Sequence, residues 1–320
     1  MNPSRLKVLI TGANGFVGAS LMQCFTAAGH DVVGSVRRRV PSAARHIHVG
    51  DLDEYTQWQH ALVDVDVVVH AAARVHVMNA RQEDANEFQR VNVDGTLNLA
   101  QQAMASGCRR FVFISSIKVN GERTHDVPFS AGDTPRPCDV YAQSKYDAEC
   151  ALTSALQDSD MELVIVRPPL VYGSGVKANL QQLIHAVTRG IPLPLGRAHK
   201  RRSLVGLDNL CDFIRVCATH PNAANNVFLV SDGYDVSSRD LVALIASALS
   251  TTPRVFSLPY AVLKLGARCL KQEARVSKLF DALQVNIDKN KQLLSWTPPY
   301  TVQQQIHTMV HGTASEERAL

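Results

Sequence analysis

Short apolar runs alternate with longer amphipathic stretches through the first half of the chain. Lys7–Thr11, Asp31–Val36, Val65–His70, Phe111–Ser115 and Leu163–Arg167 are too short for helices and apolar enough for strands covered on both faces. Between them, Gly18–Ala28, Gln57–Leu62, Glu83–Ser106 and Ala142–Leu156 have helix-like spacing. Strands alternating with helices predict an α/β fold, a doubly wound parallel sheet with right-handed crossovers. Ligands are then expected at the carboxyl ends of the strands.

Beyond Arg167 the pattern breaks. Pro168, Pro169, Gly173, Gly175, Pro192, Pro194 and Gly196 interrupt it, which predicts loops and short helices in a lid-like lobe. Val227–Ser231 reads as one more strand returning to the sheet, followed by a helix over Ser238–Ser250 and more helix after Pro259. The expected organisation is a sheet domain over residues 1–170, with 205–232 returning to it. A smaller, discontinuous lobe takes 171–204 and 233–312, and 313–320 form a frayed tail.

Composition sets broad limits. A chain of 320 residues, 46% hydrophobic and 19% charged, is long enough for a large core with a second lobe. The net charge of +4 is spread over short basic runs, Arg37–Arg39 and Lys200–Arg202, which suit small anions better than nucleic acid. Seven cysteines stand in no metal-ligand or CxxC spacing and read as reduced thiols, so no metal is expected. No apolar run reaches membrane-spanning length and no signal-peptide core is seen, so the expected location is the cytoplasm, without membrane insertion.

Immediately after the first strand comes Gly12-Ala13-Asn14-Gly15-Phe16-Val17-Gly18, opening a helix. Such a turn presents backbone N–H groups and a helix N-terminus to a pyrophosphate. Gly12 and Gly15 allow the tight turn and close approach, and Gly18 lets helix and strand pack together. Further on, Tyr141 and Lys145 are four apart and share one helix face. A free tyrosine titrates near ~10; a neighbouring ammonium favours its phenolate and brings it toward acid–base work.

The GxxGxxG turn and Tyr141-Ala142-Gln143-Ser144-Lys145 resemble the extended short-chain dehydrogenase/reductase family, its epimerase/dehydratase group. His70-Ala71-Ala72-Ala73, Asn92-Val93-Asp94-Gly95-Thr96, Ser115-Ser116, Arg167-Pro168-Pro169 and Tyr172-Gly173 follow in the family's order. The resemblance implies a Rossmann domain with a smaller, discontinuous C-terminal substrate-binding lobe. It also implies catalysis by Ser116, Tyr141 and Lys145, and a dinucleotide held by Gly12, Asn14, Gly15, Phe16, Val17, Gly18, Asp51, Leu52, Ala71, Ala72, Ala73, Asn92, Tyr141, Lys145 and Pro168. Where an NAD enzyme carries a carboxylate after the second strand, this chain has Val36-Arg37-Arg38-Arg39. Arginines there suit a 2′-phosphate, so Arg37 and Arg38 point to NADPH/NADP, with NAD as the other possibility.

Two departures narrow the chemistry. Family members that remove water between C4 and C6 carry Asp-Glu after the serine or threonine, whereas this chain has Ile117 and Lys118. Isoleucine cannot move a proton, so 4,6-dehydration is not expected. Asn120 replaces the family's usual tyrosine, and the sequence offers no role for it. Lys118 is either a substrate contact or a solvated lysine. The resemblance assigns substrate contacts to Arg74, Asn179, Leu180, Pro194, Arg201 and, more weakly, Arg275, with His76 near the sugar. Arg201, with Asp208 downstream, resembles the arginine that grips the diphosphate.

Within the family the text is most like bacterial 4-ketoreductases that form UDP-N-acetylquinovosamine for O-antigen synthesis, and like UDP-sugar 4-epimerases. The expected activity is reduction of UDP-4-keto-6-deoxy-N-acetylglucosamine at C4, with 4-epimerisation as the alternative. A non-catalytic NAD(P)-binding sensor or scaffold is a further alternative of another class. The expected partner is a UDP-sugar small molecule, with no nucleic acid, in a homodimer.

Overall fold

The computed structural model describes residues 5–38, 45–75, 82–177, 179–269 and 279–316. The chain opens with β1 (Lys7–Thr11), α1 (Phe16–Ala27), β2 (Asp31–Val36), β3 (His46–His48) and β4 (Val67–His70). Helices α2 (Gln82–Phe88) and α3 (Gly95–Ala105) follow, joined by a π-helical turn over Gln89–Asp94. Then come β5 (Arg110–Ile114), α4 (Val140–Leu156), β6 (Glu162–Arg167), β7 (Leu170–Tyr172), α5 (Asn179–Thr188), β8 (Arg201–Arg202) and β9 (Leu204–Gly206). The remainder is α6 (Leu207–Thr219), β10 (Asn226–Leu229), β11 (Val236–Ser237), α7 (Ser238–Ala248), α8 (Tyr260–Cys269), α9 (Asp288–Leu294) and α10 (Val302–Glu316).

Seven strands form one sheet in the order β10-β6-β5-β4-β1-β2-β3, every pairing parallel. The period of two sorts each strand's side chains between the two faces. Val8, Ile10, Val67, Val69, Val112, Val164 and Val166 join Leu21 and Phe25 of α1 and Leu210 and Phe213 of α6. Leu9, Val68, Phe111, Phe113, Leu163 and Ile165 join Leu99 and Ala103 of α3 and Leu152 of α4. A third cluster lies outside the sheet. There Tyr172, Val176, Leu180 and Ile184 pack with Val242 and Ile245 of α7 and Ile306 and Met309 of α10.

The chain runs outward through β1, β2 and β3, then returns to β4 on the other side of β1. That reversal opens a crevice above the carboxyl ends of β1 and β4, where open α/β sheets bind ligands.

Two expected helices differ. Gln57–Leu62 forms turns, because buried Trp58, Ala61 and Leu62 need only one closed turn, with Ala61 and Leu62 N–H donating to Trp58 O. Side chains of α3 satisfy the rest: Trp58 N–H donates to Gln102 Oε1 at 2.8 Å, and Asn98 and Gln102 donate to Thr56 O. Glu83–Ser106 is helical almost throughout, but the run carries a π-helical segment over Gln89–Asp94 that includes buried Asn92. Strand β4 starts at Val67 rather than Val65, with Asp66 accepting from Lys7 N–H at 2.8 Å. Helix α10 continues past Gly312 to Glu316, where a tail was expected. Among the described residues no helix is long and apolar enough to cross a membrane.

Candidate active site

Gly12, at φ +66°, turns the chain sharply out of β1, and a Cβ there would lie 3.0 Å from Ala72 Cα. Gly15 N–H donates to Gly12 O at 2.8 Å, closing the turn. A Cβ on Gly18 would fall 2.1 Å from Gly12 O, so only glycine lets α1 lie against its own entry turn. Gly15 caps α1 without a side-chain hydrogen bond, and Asn14 and Gly15 are exposed. A helix start with no capping side chain, opening at the sheet's reversal point, fits a dinucleotide pyrophosphate. Phe16 and Val17 are partly buried beneath the turn.

The floor of the crevice is a hydrogen-bond chain that sequence reading missed. Thr11 Oγ1 accepts from the N–H groups of Ala71 and Ala72, each at 3.1 Å. Its own proton therefore goes to His70 Nδ1 at 2.8 Å, and His70 Nε2–H donates to Thr96 Oγ1 at 2.9 Å. Burial, reinforced by the Lys145 charge, pushes His70 down to about 3 and keeps it neutral. Asn92 fastens the next segment, accepting from Arg74 N–H at 2.7 Å and donating to Arg74 O and Ser144 Oγ.

Helix α4 starts at Val140 because Asp139 accepts from Ala142 N–H at 2.7 Å, a side-chain N-cap readable in the sequence. The cap orients Tyr141 and Lys145 toward β5. Ser116 beside Tyr141 pulls its pKa down, but burial dominates and pushes it up to about 12. Lys145 is 1% exposed, its ammonium 4.0 Å from the centre of the Phe113 ring. Burial lowers it to about 7, opposed by Glu149 one turn along α4. The structure thus brings Ser116, Tyr141 and Lys145 together at the carboxyl edge of the sheet.

The two adjacent serines have different partners. Ser115 Oγ donates to Glu149 Oε1 at 2.5 Å, whereas Ser116 begins a short 3-10 turn and accepts from Lys118 N–H at 3.3 Å. Lys118 forms an ion pair with Asp139 and lies 5.9 Å from the Tyr141 ring. Asn120 also has an account: buried, it accepts from Arg167 Nη1 at 2.9 Å and donates to Ser130 O at 2.8 Å. Pro168 O accepts from Ile117 N–H at 3.0 Å, tying the β6 exit to the Ser116 turn.

The other expected contacts are less concentrated. Arg37 is exposed and 3.8 Å from Asp51, itself exposed; Arg38 is exposed and Leu52 half-buried. Arg74 pairs with Asp84 at 3.3 Å and lies over the Phe88 ring. Asn179 is exposed at the start of α5, while the Leu180 side chain packs into the lobe core. Pro194 is half-buried. Arg201 is exposed on β8, and Asp208 accepts from Gln305. Its neighbour Arg202 is more buried and donates to Asp281 O at 3.1 Å. Arg39, His76 and Arg275 lie outside the described residues.

Sheet order, glycine turn and the Tyr/Lys/Ser cluster define a nucleotide-binding α/β protein of the Rossmann class. Residues 8–231 match the NAD dependent epimerase/dehydratase family, and the chain belongs to it. It is 43% identical over 302 residues to a Vibrio cholerae UDP-glucose 4-epimerase, covering 93% of this chain and 92% of the relative. It is 25% identical to an Escherichia coli O157:H7 N-acetyl-alpha-D-glucosaminyl-diphospho-ditrans,octacis-undecaprenol 4-epimerase, covering 88% and 84%. MoeE5, solved with UDP-glucose and NAD, superimposes with a TM-score of 0.78 at 24% identity, covering 97% and 99%. A Bacillus cereus UDP-glucuronic acid 4-epimerase solved with NAD gives 0.77 at 19%, with the same coverage.

Proposed function

We propose that the protein interconverts C4 epimers of a UDP-hexose, with NAD as its dinucleotide. The observation that carries this reading is the grouping of Ser116 and Tyr141 beside buried Lys145, in a chain 43% identical to a UDP-glucose 4-epimerase. NAD, when bound, supplies the hydride acceptor. Gly12, Asn14, Gly15, Phe16, Val17 and Gly18 would hold its pyrophosphate, with Ala71–Ala73, Asn92, Asp51 and Leu52 as its other contacts. Tyr141, as the phenolate, takes the proton from the sugar O4 hydroxyl and later returns it. Ser116 hydrogen-bonds the same oxygen and fixes its distance from Tyr141. A charged Lys145 beside Tyr141 would favour the phenolate that this proton transfer needs. This reading gives Arg201, Arg74 and Lys118 to the diphosphate and sugar.

The ketoreductase expectation uses the same three residues. It is favoured by one observation, the absence of a carboxylate at Val36-Arg37-Arg38, which suits NADPH. The two readings separate cleanly. With UDP-glucose or UDP-N-acetylglucosamine, epimerisation gives the C4 epimer by NMR and no net change in nicotinamide absorbance. Stoichiometric NADPH oxidation on a 4-keto-6-deoxy UDP-sugar, with no epimer from either hexose, would overturn the epimerase reading in favour of the reductase.

A further inference from the structure

Behind the Ser116–Tyr141–Lys145 cluster lies a buried polar network that links four segments. The side chains of Glu149 and Arg167 are each 5% exposed. Arg167 Nε donates to Glu149 Oε1 at 2.9 Å and Arg167 Nη2 to Oε2 at 2.5 Å, a bidentate pair. Ser115 Oγ adds a third donor at 2.5 Å, and Asn120 occupies the remaining guanidinium edge. Every group in this chain is satisfied, the condition under which a buried pair imposes geometry.

The network's position is what gives it a consequence. Ser115 precedes Ser116, and Glu149 follows Lys145 by one helical turn, on the same face. The Ser116 turn is held from both sides: Ser115 N–H donates to Val166 O at 2.7 Å and Ile117 N–H to Pro168 O at 3.0 Å. Ser115 meets Glu149 and Ser116 meets Tyr141, so two adjacent residues are held to the same helix at points two turns apart. Around Lys145 stand Tyr141 and Glu149 from α4, His70 from β4 and the Phe113 ring from β5. Among these, Glu149 is the group whose charge supports the ammonium.

We propose that Ser115, Asn120, Glu149 and Arg167 form a positioning network that fixes Ser116 against Tyr141 and supports the ammonium of Lys145. The proposal rests on the reading of Ser116, Tyr141 and Lys145 as the reacting set. It adds residues that do not touch substrate.

Two variants test it against a structural control. Ser115→Ala removes one donor and leaves the ion pair, so the fold is retained. It should lower kcat roughly tenfold to a hundredfold, the scale of misplaced reacting groups, with KM nearly unchanged. Glu149→Gln keeps the shape but removes the anion, so the Lys145 titration should move to lower pH. That titration is followed by NMR of lysine labelled at the ε-carbon, the signal being assigned with Lys145→Arg. It needs no substrate, so failure to turn over any UDP-sugar defeats the functional reading and leaves the Lys145 arm decisive. The control is Glu162→Gln, which breaks an ion pair to buried Arg110 at the opposite ends of the same strands, β5 and β6. It should lower Tm and leave kcat and the Lys145 titration unchanged. Wild-type kcat in Ser115→Ala overturns the placement of Ser116. An unmoved titration in Glu149→Gln overturns the support of Lys145.

Discussion

The Lys145 ammonium lies 4.0 Å from the centre of the Phe113 ring, a charge held in the sheet's apolar face by an aromatic surface. Burial lowers its pKa from 10.5 to about 7. Below about pH 7 folded and unfolded chains both carry the charge, and the folded chain bears its desolvation. Between about 7 and 10.5 the unfolded chain binds a proton that the folded chain does not, so this group makes stability rise with pH. Lys145→Met should therefore be the more stable protein at pH 7, with a flatter dependence across that window. Denaturant melts of both proteins without cofactor, taken at several pH values, check this; parallel curves would refute it.

Tyr141 is protonated in the cofactor-free protein, because burial outweighs the pull of Ser116. If it moves the proton at O4, Tyr141→Phe should lower kcat by ~10²–10⁴ while leaving dinucleotide affinity within a few-fold. Ser116→Ala should cost less, about tenfold to a hundredfold, since Tyr141 itself remains. Steady-state kinetics on the turned-over UDP-sugar decide both. A Tyr141→Phe loss below about tenfold would remove Tyr141 from that role.

The glycine turn makes a purely steric prediction. A Cβ on Gly18 meets Gly12 O at 2.1 Å, and the neighbour is backbone that cannot rotate away. Gly18→Ala should lose about 1–3 kcal/mol of stability and most dinucleotide binding. Gly132→Ala, where a Cβ meets nothing within 4 Å, should change neither. Thermal melts with and without NAD compare the two; equal behaviour would mean the turn is not a tight packing site.

How much was legible divides along physical lines. The sheet was readable because strands covered on both faces carry unbroken apolar runs such as Val67-Val68-Val69, and the glycine turn because only glycine adopts that path. Tyr141 and Lys145 stood out because four-residue spacing puts them on one helical face. Thr11, His70 and Thr96 were not legible, because their hydrogen bonds join residues 26 to 59 apart in sequence. The Gln57–Leu62 helix failed for the same reason: its apolar periodicity was real, but distant α3 side chains satisfy its backbone.

His70 also gives an acid limb. Burial lowers its pKa from 6.5 to about 3, so below about pH 6.5 the unfolded chain takes up a proton that the folded chain refuses. Stability contributed by neutral His70 is thus present above about 6.5 and lost as pH falls toward 3. Thr11→Val strips the hydroxyl that serves Ala71, Ala72 and His70, and should cost about 1–3 kcal/mol and weaken NAD binding. Urea melts of Thr11→Val and wild type at pH 7, with NAD titrations alongside, measure both effects. A near-neutral Thr11→Val would show that the chain does not hold the crevice floor.

The choice of dinucleotide turns on Arg37 and Arg38. Arg37 approaches Asp51 at 3.8 Å, but both side chains are about two-thirds exposed, at 66% and 68%. Such a pair is worth about 0–1 kcal/mol, too little to withhold the guanidinium from a better anion. A 2′-phosphate offers a doubly charged, multidentate acceptor, which arginine meets with paired N–H donors. If these arginines read that phosphate, wild type should bind NADPH more tightly than NADH, and Arg37→Ala with Arg38→Ala should erase the difference. The expected loss is about tenfold per arginine, on the scale of a charge-assisted hydrogen bond, with NADH affinity unchanged. Isothermal titration of both dinucleotides gives the ratio. Equal affinities in wild type would make the arginines ordinary surface charge, and NAD would then be the cofactor the epimerase reading requires.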